Sequence, residues 1–298
     1  MSLLKLENAL RVVLMMTSAG LSNLHAQTPD VHNNFSTSTA ANPNSLSEPK
    51  KIEAENKVSG GQPLPADSQS NQPASTDKWQ FQLSPYLWIA TISGRSGIGQ
   101  QIIDTEVSVK DTGVELNFGF MSTFEARKNR LVIVTDLQYS DLSTERGNPG
   151  PLFSSTRASF KTFVLDPEAG YRILDSENGS SVDVLGGIRY WHLDATLAFR
   201  AGILPATDVS RSRDWVDGVF GLAGRAKLSP RWYITGKADL GGGGSNFTYQ
   251  LFGGVGVNVG KRYALIGGYR DLSVNYNKDN FLFDQSLHGP VFGFGIRF

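Results

Sequence analysis

The sequence predicts an all-β protein, a transmembrane antiparallel up-and-down β-barrel of about ten strands, for which 8 or 12 would be the neighbouring counts. Three observations predict it. From Trp79 to Phe298 apolar and polar residues alternate with a period of two, as they do along a strand whose faces meet different surroundings. The connections between these stretches fall alternately into short and long classes. The chain also opens on an export signal and closes on alternating aromatic residues.

Composition sets the outer bounds. The 28 basic and 28 acidic residues balance, so no net charge directs the chain to nucleic acid. An apolar fraction of 40% and a mean hydropathy of −0.22 suit a water-soluble protein. A membrane barrel meets the same values, because only every second residue of a strand faces lipid. The 32 glycines, 17 Phe and 9 Tyr suit many strands joined by tight turns. With no cysteine, disulfides and thiolate chemistry are excluded.

Residues 1–26 read as a secretory signal peptide. Lys5 and Arg11 precede an apolar run from Val12 to Leu24, and Ala26 suits the position before cleavage. Cleavage after Ala19 or Gly20 also fits, since Leu24 is bulky for its place. The run is shorter than the roughly 20 residues of a spanning helix. Residues 27–77 are rich in Ser, Asn, Gln and Pro, with single scattered apolar residues such as Phe35, Leu46 and Leu64. So little apolar surface cannot offset the entropy of ordering, and a disordered periplasmic tether is expected. The barrel is expected over 78–298.

Within it, Trp79–Ile89 alternates apolar and mostly polar positions, as do Leu116–Arg127 and Leu131–Tyr139. Further strands are expected over 157–173, 181–198, 214–228, 231–241, 247–259, 262–276 and 286–298, and 101–110 could add a hairpin above the membrane. Turns at Lys128-Asn129-Arg130, Asp175–Ser180, Ser229-Pro230-Arg231 and Gly260-Lys261 are short. The connections 94–114, 142–156, 199–213 and 277–285 are expected to be long outer loops, with Gly241–Ser245 a tight exception.

Alternation alone does not say which face is inside. Three features favour oily residues outside. The chain ends Phe292-Gly-Phe294-Gly-Ile296-Arg-Phe298, and Phe294, Ile296 and Phe298 match the C-terminal signal read by the barrel-assembly machinery. Rings fall near strand ends, with Trp79, Tyr171, Trp232, Tyr263 and Phe298 toward one interface and Tyr139, Tyr190 and Tyr269 toward the other. The opposite parity carries a lumen-lining network of Glu125, Arg127, Asp136, Asp166, Glu168, Arg172, Asp183, Arg189, Asp217, Arg225, Lys237, Asp239 and Arg270, with Lys227 and Arg297 at its end. In a narrow lumen such ions are expected to pair, because each one left unpaired costs several kcal/mol of desolvation.

On Ser84-Pro-Tyr-Leu-Trp88, Leu116-Asn-Phe-Gly-Phe-Met121, Gly187-Ile-Arg-Tyr-Trp-His-Leu-Asp194, Leu228-Ser-Pro-Arg-Trp232, Gly267-Gly-Tyr-Arg270 and the terminal Gly-Phe-Gly-Ile-Arg-Phe, residues 79–298 resemble an uncharacterised family of outer-membrane β-barrels in the porin-like, OmpA-like group. The resemblance implies architecture and location in a Gram-negative outer membrane, and no chemistry.

A search for chemistry returns little. A His-Asp pair from His192, Asp194 and His288, with Ser273 or Ser286 nearby, could form a general base and nucleophile, but the parity of His192, Asp194 and His288 sets them toward lipid or the rim. Gly241–Gly244 lacks the Lys-Ser/Thr of a phosphate cradle, and Gly253-Gly254-Val-Gly256 lies in an alternating strand. No catalytic, cofactor-binding or metal-binding residue is assigned. The expected protein is a non-enzymatic outer-membrane barrel without cofactor, either structural or a narrow passive pore, with a plugged interior favoured. A surface adhesion protein acting through the outer loops is the alternative, and a lipid-modifying enzyme ranks behind both. Expected partners are outer-membrane lipids, periplasmic chaperones and the assembly machinery, with no nucleic acid.

Overall fold

The computed structural model describes residues 78–98, 101–108, 115–147 and 153–298. The expected signal peptide and tether lie outside the described residues. Twelve strands follow one another: β1 (Gln80–Trp88), β2 (Thr91–Ile98), β3 (Gln101–Ser108), β4 (Glu115–Lys128), β5 (Leu131–Gly147), β6 (Phe153–Asp175), β7 (Ser181–Ala201), β8 (Thr207–Lys227), β9 (Trp232–Gly243), β10 (Phe247–Val259), β11 (Tyr263–Lys278) and β12 (Phe281–Arg297).

Ten of these form a closed antiparallel barrel. Each strand from β4 to β12 pairs with the next, and β1 pairs with both β4 and β12. Leu83 lies opposite Ile296 on one side and Phe124 on the other, so the seam continues the outward apolar face. At Ile89-Ala90 the first strand breaks. β2 then continues along β12, with Thr91 opposite His288, and β3 folds back on β2 as a hairpin over the region where one was foreseen.

Four of the expected long outer loops are mostly strand. β5 runs to Gly147 and β6 starts at Phe153; β7 runs to Ala201 and β8 starts at Thr207. β11 and β12 meet at a two-residue turn, Asp279-Asn280, with both φ values positive (53° and 59°). This is the left-handed geometry of a tight hairpin, and Asp and Asn tolerate it better than most residues. The segment 94–114 likewise holds β2 and β3.

The reason lies in which face is oily. In the half of the barrel near the short turns, exposed apolar side chains point outward: Leu87, Phe120, Ile188, Phe220, Leu222, Leu251, Leu265 and Phe292 are all at least 47% exposed. Polar groups point inward there. Above Tyr139, Tyr190 and Tyr269 the arrangement inverts. Along β7 the inward residues become Trp191, Leu193, Ala195 and Leu197, all at most 2% exposed, while His192, Asp194 and Thr196 face out. A strand passing from an oily to an aqueous surrounding must exchange its faces in this way.

Phe220 lies mid-height on the oily face, with 60% of its surface exposed. Replacing Phe220 by Arg should destabilise the barrel in lipid vesicles by about 2–4 kcal/mol. Urea titration of the refolded protein would read this as a lower midpoint, and an unchanged midpoint would contradict a lipid-facing position.

The barrel interior as candidate functional site

Three tiers of side chains fill the lumen. The tier nearest the short turns holds Glu125 and Arg127 from β4, Arg172 from β6, Asp183 from β7 and Arg225 from β8, with Arg297 from β12. Arg172 Nε donates to Asp183 Oδ1 at 2.8 Å, and Arg127 pairs with Glu125 at 2.5 Å and approaches Asp183 at 3.7 Å.

The middle tier is a largely buried ion cluster, in which Asp136, Lys237 and Arg270 line a lumen cavity of about 210 Å³. Arg189 Nη2 lies 2.8 Å from both Asp166 Oδ2 and Asp239 Oδ1, and Arg189 Nη1 donates to Thr248 Oγ1 at 3.1 Å. Arg189 and Asp166 are 0% exposed. Lys237 pairs with Glu168 and lies 3.4 Å from Asp239. The pairing of β7 with β9 spans β8, and Gly221 of β8 makes room for it. A Cβ there would collide with Asp239 and the Ala238 carbonyl. Beside this cluster Arg270 Nη2 lies 2.8 Å from Asp136 Oδ2. Asp136 accepts further bonds from Tyr86, Thr123 and Gln138 at 2.9–3.1 Å. Asp217 stands apart, accepting from the Trp215 indole at 3.1 Å and the Ser245 amide at 2.6 Å. These contacts matter because a buried carboxylate without donors costs several kcal/mol.

The upper tier is apolar. Trp191 stacks on Trp215 with centroids 5.5 Å apart, and Trp215 packs on Tyr276 at 4.6 Å. Leu193, Leu197, Leu272, Val274, Phe281 and Phe283 complete the cluster. Trp88 joins it to the ions below, its ring 5.0 Å from the Arg270 guanidinium carbon.

All thirteen charged residues named from the sequence therefore lie on the inward parity, eight in the middle tier and five at the mouth. One expectation fails. Arg225 and Arg297 have no carboxylate within salt-bridge distance among the described residues and hydrogen-bond instead to Asn258. Lys227 is exposed at the rim. Phe294 on β12 and Phe298 just beyond its end are exposed, and Ile296 is partly so. The hydrolytic constellation does not assemble. His192 Nδ1 meets Asp214 at 2.7 Å, not Asp194, and Ser286 donates to Asp271 at 2.7 Å. The sequence does not foretell the apolar tier, because Trp191 and Trp215 sit directly beside the outward-facing Tyr190 and Val216. Adjacent bulky residues were the available signal.

The fold and its interior define a closed ten-stranded β-barrel with an oily outer belt and a filled lumen. No family model matches the chain, and no curated protein does either. Among solved structures it is similar to the translocator domain of the autotransporter NalP from Neisseria meningitidis, with 13% identity, 74% of this chain and 88% of that chain covered, and a TM-score of 0.38. It is similar also to Ail, the attachment invasion locus protein of Yersinia pestis, in complex with the heparin analogue sucrose octasulfate (13% identity, 74% and 99% covered, TM-score 0.35). Neisserial surface protein A gives 13% identity, 74% and 97% coverage and a TM-score of 0.31.

Replacing Arg189 by Met leaves Asp166 and Asp239 buried without their main cation, which should cost about 3–5 kcal/mol. Adding Asp166→Leu and Asp239→Leu should recover most of the loss. Urea midpoints of the single and triple variants test this, and a neutral single variant would mean that the cluster is not formed.

Proposed function

We propose that the protein is an exported outer-membrane barrel that carries no catalytic step and serves as a closed structural scaffold, not as a general pore. The observation that supports this best is the stacking of a buried ion cluster under an apolar plug, with Arg189 and Trp191 both 0% exposed. Ten strands give a lumen only slightly wider than the eight-stranded kind that side chains just fill. Here indoles and guanidinium groups take up that extra width. In this reading the short turns lie in the periplasm, the oily belt contacts outer-membrane lipid, and Phe294, Ile296 and Phe298 present the assembly signal. Tall polar walls of β5–β8 and β11–β12 then stand above the membrane.

One observation favours a second role for those walls. The turn at the tip of β7 and β8 exposes Ile203 and Leu204, at 74% and 43%, away from the oily belt. A surface partner would cover such a tip, and Ile203→Ser with Leu204→Ser would then lower cell adhesion without altering the barrel.

Liposomes carrying the refolded protein should not swell in sugar solutions, once the folded state is verified by its heat-modifiable gel mobility. Swelling at the rate of a general porin would overturn the closed-scaffold reading.

A further inference from the structure

The short-turn end of the lumen holds a cavity of about 550 Å³, open at the mouth and lined by Arg127, Arg172, Arg225, Lys227 and Arg297 among others. Its charges are not equally matched. Arg127 is taken up by Glu125, and Arg172 by Asp183 and Asp175. Arg225 and Arg297 are left with neutral partners. Both donate to the same atom, Asn258 Oδ1, at 3.4 and 2.9 Å, and Arg297 Nε donates to Gln82 Oε1 at 3.0 Å. Two guanidinium groups therefore converge on one amide oxygen inside a barrel wall, and among the described residues neither has a carboxylate within salt-bridge distance, although Glu125 and Asp175 line the same cavity.

This placement is built into the fold. The Arg225 guanidinium carbon sits 3.4 Å from the centroid of the Tyr233 ring. Tyr233 is itself only 2% exposed and fills a notch left by Gly256, where a Cβ would fall on the ring. An arginine that merely trails in solvent requires neither the ring nor the notch. A guanidinium stacked on an aromatic face keeps its in-plane N–H donors free, and two such forks side by side suit the oxygens of a carboxylate or phosphate.

We propose that this cavity is an oxyanion-binding site, in which a carboxylate or phosphate group bridges Arg225 and Arg297 from the short-turn side. The closed-scaffold reading supplies only the compartment from which the anion comes. In detergent both ends of the barrel meet solvent, so the site can fail while that reading stands. The ligand it suits is a small anionic solute entering from that side.

Isothermal titration of the full-length, detergent-refolded protein with inorganic phosphate tests the site. Saturable binding that weakens at least tenfold in Arg225→Gln/Arg297→Gln, and is unchanged in the exposed-site control Arg262→Gln, supports it. Should the double variant not fold, Arg297→Gln alone is compared with the unchanged protein by the rise of the urea midpoint in phosphate, since a ligand bound only to the folded state raises the midpoint. No saturable binding and no midpoint shift, or binding and a shift that survive loss of the arginines, overturns the proposal.

Discussion

Every cross-section of this barrel must present one apolar face and one polar face, and the surroundings decide which is outside. Where lipid surrounds the wall, backbone groups are satisfied within the ladder and the outward side chains are oily. Polar groups are then confined to the lumen. Where water surrounds the wall, the lumen becomes the only place for apolar side chains. β7 passes through both regimes, with Ile188 and Tyr190 outward below the change and Leu193, Ala195 and Leu197 inward above it. The ion cluster and the apolar plug follow from this single exchange.

The exchange also explains what could be read from the sequence. The lower half of each strand was legible because oily outward residues alternate with charged inward ones, and parity alone placed Asp136, Asp166, Arg189 and Arg270 inside. At the exchange, two bulky residues stand side by side: Tyr190 with Trp191, and Trp215 with Val216. The alternation breaks there, yet the strands expected over 181–198 and 214–228 include both pairs, and only 199–213, which holds the tops of β7 and β8, is expected as a loop. The Asp279-Asn280 turn misled for a related reason, since its polar residues suited a long loop as well as a tight hairpin. Parity could not supply the partners. Arg189 reaches Asp239 across an intervening strand, and only the register that sets Gly221 opposite Asp239 reveals the opening. Arg225 was expected in a paired network, and its actual neighbours, Tyr233 and Asn258, come from β9 and β10.

Within the lumen the two kinds of ion environment differ in what they stabilise. In the middle tier five acids face three bases. Asp217 is held by an indole and a backbone amide, and Asp136 by a phenol, a hydroxyl and an amide in addition to Arg270. Neutral donors thus complete Asp217 and Asp136, whereas Asp166 Oδ1 and Glu168 Oε1 are buried without a hydrogen-bond donor among the described residues. Such clusters are weak sources of net stability, because desolvation consumes most of the attraction. Their stronger effect is on alternatives: a register slip by one residue would turn Arg189 and Asp166 toward lipid.

At the mouth the imbalance runs the other way, with guanidinium groups outnumbering carboxylates. Solvent reaches this tier, so an unpaired cation is tolerable there in a way that it is not beside Asp166. The charge excess is therefore located where an exchangeable anion can enter, while the carboxylates of the enclosed tier above are held by fixed cations and, at Asp136 and Asp217, by neutral donors as well. The depth of each tier, more than its residue types, decides whether its charges serve the fold or remain available to a ligand.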